Sequence, residues 1–148
     1  MARPIVSVLA ILFLAEIAAI PGTRAQTSAP VQPVTVAYFY KTKWGYQDEF
    51  LELFKRNHYP ILEAQVKGGR LLKAEAFTPR FHGDGRSDWT FMTILVFRSW
   101  QAFGDNSVEA ELIKKMYPDQ ERYRREEQRR FELLEAHWDV PLNAAAMK

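Results

Sequence analysis

Any chemistry in this 148-residue chain must be built from three histidines and from its tyrosines, acids and bases, because it contains no cysteine. That absence excludes a disulfide, a thiolate nucleophile and a thiolate metal site. His58 stands four residues after Phe54 and three before Ile61, so a continuous helix would carry it on the apolar, sheet-facing side. It is the candidate catalytic residue, as a general base or a ligand contact, although a buried histidine also serves as a hydrogen-bonded structural residue. His137 and Asp139 share one face of a strand, an arrangement that orients an imidazole for acid–base work and that edge-strand polarity produces equally well. His82, Asp84 and Asp88 lie in a glycine-bearing loop; with no close histidine pair or carboxylate ladder they read as turn chemistry, not as a cation site. The chain has no G-x-S-x-G elbow, no P-loop and no H-E-x-x-H, so no metal and no cofactor is expected.

The elements that must position these residues follow from periodicity and punctuation. Residues 34–42 (VTVAYFYKT) are β-branched and aromatic and read as a strand. From 46 to 66, Phe50, Leu53, Phe54, Ile61 and Leu62 recur at helical spacing until Gly68-Gly69, with a kink expected near residues 57–59 because Pro60 lacks a backbone donor. Two strands, 70–78 and 89–97, flank the loop FHGDGRSD. Residues 99–117 read as helical, with Asp105, Asn106 and Ser107 offering an N-cap, and a second helical stretch runs from Pro118 to about Leu134. Its Arg122, Arg124, Arg125, Arg129 and Arg130 alternate with Glu121, Glu126 and Glu127 as a solvated ion-pair ladder. A short last strand, 135–142, carries a proline suited to an edge. The order βαββαβ predicts an α+β, ferredoxin-like domain over 34–142, with both helices on one face of a four-stranded antiparallel sheet and a tail at 143–148.

Strand alternation divides each strand into two sets. The small and aliphatic sets suit packing beneath the helices, which leaves Tyr38, Tyr40, Lys73, Glu75, Trp89, Phe91 and Thr93 on the bare face as the expected ligand-binding residues. So much exposed aromatic surface predicts burial against a second copy or a ligand, hence a homodimer. A Lys/Glu pair among aromatic rings also suits a small-molecule pocket, in which a few polar groups orient an apolar ligand.

This pattern, with its first helix running into Asn57-His58-Tyr59-Pro60, resembles the dimeric α/β-barrel superfamily, which includes antibiotic-biosynthesis-monooxygenase-like and stress-responsive barrel proteins. The resemblance covers about residues 34–142 and implies a dimer whose two sheets face each other around a cavity. Cofactor-free monooxygenases, isomerases, haem-degrading enzymes and members without known activity share that architecture. A His-x-Pro near the end of the first helix recurs in parts of the superfamily, here as His58 and Pro60. Haem-degrading members use an asparagine on the first strand, a tryptophan on the third and a histidine on the second helix. Trp89 matches the tryptophan, but strand one has no asparagine and residues 99–134 no histidine, so the resemblance does not extend to haem degradation.

The first 25 residues read as a cleavable secretory signal peptide: Arg3, the apolar run 5–15, the helix-breaking Pro21-Gly22, and small residues in Thr23-Arg24-Ala25 before the cut. The run is shorter than the ~20 residues of a span, so no stable membrane insertion is expected after cleavage. Residues 26–33 (QTSAPVQP) read as a flexible linker. Cleavage would remove two of the 20 basic and one of the 18 acidic side chains, leaving +1, which gives no general attraction to nucleic acid. The sequence thus points to an exported, periplasmic or secreted, barrel dimer that binds an apolar or aromatic small molecule. The alternatives are a cofactor-independent monooxygenase or isomerase using His58, and a non-catalytic structural protein with a filled dimer interface.

Overall fold

β-branched and aromatic residues build β1 (Val34–Thr42), the strand against which the rest of the domain is laid. In this computed structural model, residues 31–81 and 88–147 are described; the expected leader and the loop holding His82 and Asp84 lie outside the described residues. After β1 come α1 (Gln47–Leu53), a π-helical turn (Phe54–His58), α2 (Tyr59–Lys67), β2 (Leu71–Phe77) and β3 (Phe91–Phe97). The second helical half consists of α3 (Trp100–Gly104), α4 (Ser107–Met116) and α5 (Gln120–Glu132), followed by β4 (Leu134–Leu142). The sheet order is β2-β3-β1-β4 and all pairings are antiparallel, which gives the expected ferredoxin-like arrangement.

The kink expected at Pro60 takes a definite form. Pro60 has no N–H to give to the carbonyl of Arg56, and the helix widens so that the Tyr59 N–H reaches the Phe54 carbonyl five residues back. Tyr117 compensates from the far side: its hydroxyl lies 2.7 Å from the Asn57 carbonyl and 3.1 Å from that of Arg56, sharing one proton between them. Gly69, at φ +74°, then reverses the chain into β2, and an added Cβ would sit 2.6 Å from a guanidinium nitrogen of Arg98. The caps of the second half are side chains: Ser99 accepts from the Ala102 N–H at 3.1 Å and Asp119 from the Arg122 N–H at 2.9 Å. At α4, Asp105 supplies the oxygen, accepting from both the N–H and the hydroxyl of Ser107.

The core lies between the sheet and the helices, and it is aromatic. Tyr40 and Phe91, paired across β1 and β3, meet Phe50 and Phe54 with ring centroids 4.8–6.1 Å apart. Here the structure reverses the expected faces of β1 and β3. Tyr38, Tyr40, Phe91 and Thr93 point toward the helices, while Ala37, Phe39, Met92, Ile94 and Val96 form the bare face. The reason is shape: the rings presented by α1 and the π-turn interdigitate with large side chains, and the smaller set makes a flatter outer surface. β2 obeys the expectation, because a register shift between Leu71 and Lys73 buries Leu71 while Lys73 and Glu75 share the bare face with Val96 and Ile94.

Candidate functional site

The reversal places a hollow beneath the helices, where Tyr38 and Tyr40 point. A cavity of about 380 Å³, partly open to solvent, lies between the sheet and the helical layer. β1 contributes Tyr38 and Tyr40, β3 Leu95 and Phe97, β4 His137, the π-turn His58, α2 Leu62 and Gln65, and α5 Arg130. Arg70, Phe103, Gly104, Asn106, Glu109 and Phe131 complete the wall. The size is that of a small-molecule pocket, and the mixture of rings with a few polar groups is the composition such pockets have.

His58 reaches this cavity because the π-turn adds a residue ahead of Pro60. Its ring lies 5.1 Å from that of Phe54 and has no hydrogen-bond partner among the described residues. Burial, then the positive charge of Arg130 and the neighbouring His137, hold its pKa down to about 3, so near neutrality it offers one N–H donor and one bare nitrogen. Tyr40 is pushed up to about 12 by burial, and burial followed by the carboxylate of Asp139 raises Tyr38, so both keep their hydroxyl protons.

His137 is differently placed. Its Nδ1 lies 2.8 Å from the Phe39 carbonyl and its Nε2 3.3 Å from Asp139, while its ring stacks on Tyr40 at 4.4 Å. Both ring nitrogens face protein oxygens. The pair therefore ties β4 to β1 and turns no nitrogen toward a ligand, unlike the acid–base arrangement that its same-face spacing allowed.

The seven residues expected to share one ligand face do not share it. Tyr38 and Tyr40 line the cavity, and Phe91 and Thr93 lie on the same side, buried in the core beside it. Lys73 and Glu75 pair with each other at 2.8 Å on the opposite face. Trp89 packs edge-on against Phe39 at 6.0 Å and lines a separate hollow with Lys41, Trp44 and Phe81. Among the described residues, no group of three His, Asp or Glu side chains could hold a metal ion, and no helix is long and apolar enough to cross a membrane.

Sequence reasoning missed Arg70 and Arg130. Arg70 is buried, donates to the Ala102 carbonyl at 2.9 Å and to the Gln65 side chain, and lies 3.6 Å from Glu109. Arg130 had been counted in the solvated ladder of α5, and Arg122–Glu126 and Arg125–Glu121 do form such i,i+4 pairs. Arg130 itself is buried and held in a fork by Glu127, with bonds of 3.0 and 2.6 Å. The available signal was helical phase: Tyr123, Glu127, Arg130 and Leu134 fall on one face, which places a matched ion pair between two apolar residues.

No protein-family model matches the chain, and no curated protein matches it. Among solved structures it is similar to a dimeric ferredoxin-like protein from an uncultured marine organism (TM-score 0.51, 8% identity, 78% of this chain and 91% of the other). It is likewise similar to a protein of Pseudomonas aeruginosa (TM-score 0.50, 14% identity, 80% and 99%). SnoaB, a cofactor-independent oxygenase from Streptomyces nogalater, aligns at TM-score 0.46 and 15% identity over 78% of this chain and 95% of its own. The marine protein bears out the ferredoxin-like fold; at such identities the likeness is one of architecture and carries no chemistry.

Proposed function

We propose that this protein is a small-molecule-binding domain whose ligand, an apolar or aromatic compound, occupies the cavity between sheet and helices. The observation that carries this reading is the cavity itself, in which the rings of Tyr38, Tyr40, Phe97, Phe103 and Phe131 stand around His58, an imidazole with no hydrogen-bond partner among the described residues. His58 is part-buried and its ring nitrogens stay open to water, which a hydrogen-bonding ligand can replace without loss of pairing.

Gly104 supplies the test. It lines the cavity, and a Cβ built on it meets nothing within 4 Å, so Gly104→Phe adds a ring without a backbone clash. Fluorescence titration with N-phenyl-1-naphthylamine, an uncharged aromatic probe, is expected to show saturable binding that Gly104→Phe weakens by about tenfold or more. Binding left unaltered by that substitution would move the probe, and the proposal, out of the cavity.

We propose in addition that two copies associate through the bare face, on which Phe39 stacks against Trp138 at 5.2 Å beside Met92, Ile94 and Val96. Among the described residues no helix covers that apolar surface, and the similar marine protein is described as dimeric. Assembly through this face leaves the helix-side cavity of each copy accessible, so a filled interface and a ligand site are compatible.

The third element of the proposal is export, with cleavage after Ala25 resting on the leader pattern of residues 1–25. Mass analysis of protein recovered from its native host is expected to give a chain beginning at Gln26. A retained leader would remove this element and leave the other two standing.

A further inference from the structure

Two buried guanidinium groups line the cavity, and each already has a carboxylate beside it. Arg130 is forked onto Glu127 through Nε and Nη2. Its third nitrogen, Nη1, is buried without a hydrogen-bond partner, and the guanidinium lies over the rings of Phe131, Phe54 and Phe50 at 4.6, 5.7 and 5.9 Å. Arg70 gives its donors to two backbone carbonyls and to Gln65, and Glu109 stands 3.6 Å away. Asp139, beside His137, adds a third carboxylate near the same space. Resting on the binding role proposed above, we infer that the cavity selects uncharged ligands and rejects anions of the same shape, with the Glu127–Arg130 fork as the element that sets this preference.

The physical argument is one of desolvation. An anion entering this space gives up its water and finds both cations already paired with carboxylates and the one spare donor, Nη1 of Arg130, buried among phenylalanine rings, so little replaces the lost hydration. An uncharged ligand loses little water, packs its body on Tyr38, Tyr40 and Phe103, and can exchange one hydrogen bond with the neutral imidazole of His58. Glu127 thus acts on specificity through Arg130: without its charge, Arg130 becomes an unbalanced cation beside the cavity.

The test compares N-phenyl-1-naphthylamine with 8-anilino-1-naphthalenesulfonate, which has the same aromatic body and one added sulfonate. Only the part of each signal abolished by Gly104→Phe is counted as cavity binding. In the unaltered protein, the uncharged probe is expected to bind at least about tenfold more tightly than the sulfonate. In Glu127→Gln, which keeps the size of the side chain and removes its charge, the ratio is expected to move toward the sulfonate by about threefold or more. Equal or tighter binding of the sulfonate by the unaltered protein overturns the inference, as does a ratio unmoved in Glu127→Gln. If that variant fails to fold, the ratio in the unaltered protein decides alone. Failure of both probes to bind the unaltered protein would instead remove the binding role, a separate result.

Discussion

Ile94→Lys is expected to convert the protein from a dimer to a monomer at micromolar concentration, as read by sedimentation or light scattering. Ile94 sits centrally on the bare face, on β3 between Ala37 of β1 and Glu75 of β2. In the isolated domain the introduced ammonium would lie beside the Glu75 carboxylate, so the sheet tolerates it. In a face-to-face dimer related by a twofold axis, the same substitution enters the interface twice and is desolvated each time. A stable interface needs about 800 Å² from each partner, and the centre of such a patch accepts an unpaired charge least well. Retention of the dimer by a folded Ile94→Lys variant would remove the bare face as the site of association.

Phe54→Ala is expected to cost about 3–5 kcal/mol, the range for a large ring removed from a packed core. For a domain of this size that corresponds to a fall in Tm of roughly 15–30 °C by calorimetry. The value belongs at the upper end because Phe54 meets Tyr40, Phe50, His58 and Phe91 and lies beneath the guanidinium of Arg130. It also opens the π-turn, so its loss leaves a void next to His58 that the kinked helix cannot close by sliding. A loss below about 1 kcal/mol would mean that the aromatic cluster is not the centre of the core.

Much of the candidate site was legible in part and misassembled in whole. His58 was found from its spacing to Phe54 and Ile61, and the π-turn preserves that sheet-facing direction despite Pro60. Tyr38 and Tyr40 carry a ring and a hydroxyl that any sequence reading can see, but the structure turns them toward the helices, opposite to the expected face. Lys73 and Glu75 lie on the bare face where alternation puts them, and it is the reversal of β1 that carries both tyrosines to the other side. Helical phase alone sets Arg130 apart from the solvated arginines around it, whereas nothing local marks Arg70; only the acceptors that gather on it do.

What the sequence determines by itself is therefore periodic and local. The βαββαβ order, the strand limits to within a residue or two, the break at Pro60 and the reversal at Gly68-Gly69 all follow from side-chain period and from two residues with unusual backbones. What tertiary structure alone decided is which side of each strand is inside. A period of two divides Tyr40 from Phe39 without saying which faces the helices, because that choice depends on the partner surface, here the rings of Phe50 and Phe54. The cavity exists only as a consequence of that choice: three strands and the helical layer bring residues from Tyr38 to His137 to one place, and their meeting is a matter of packing that no local stretch of chain encodes.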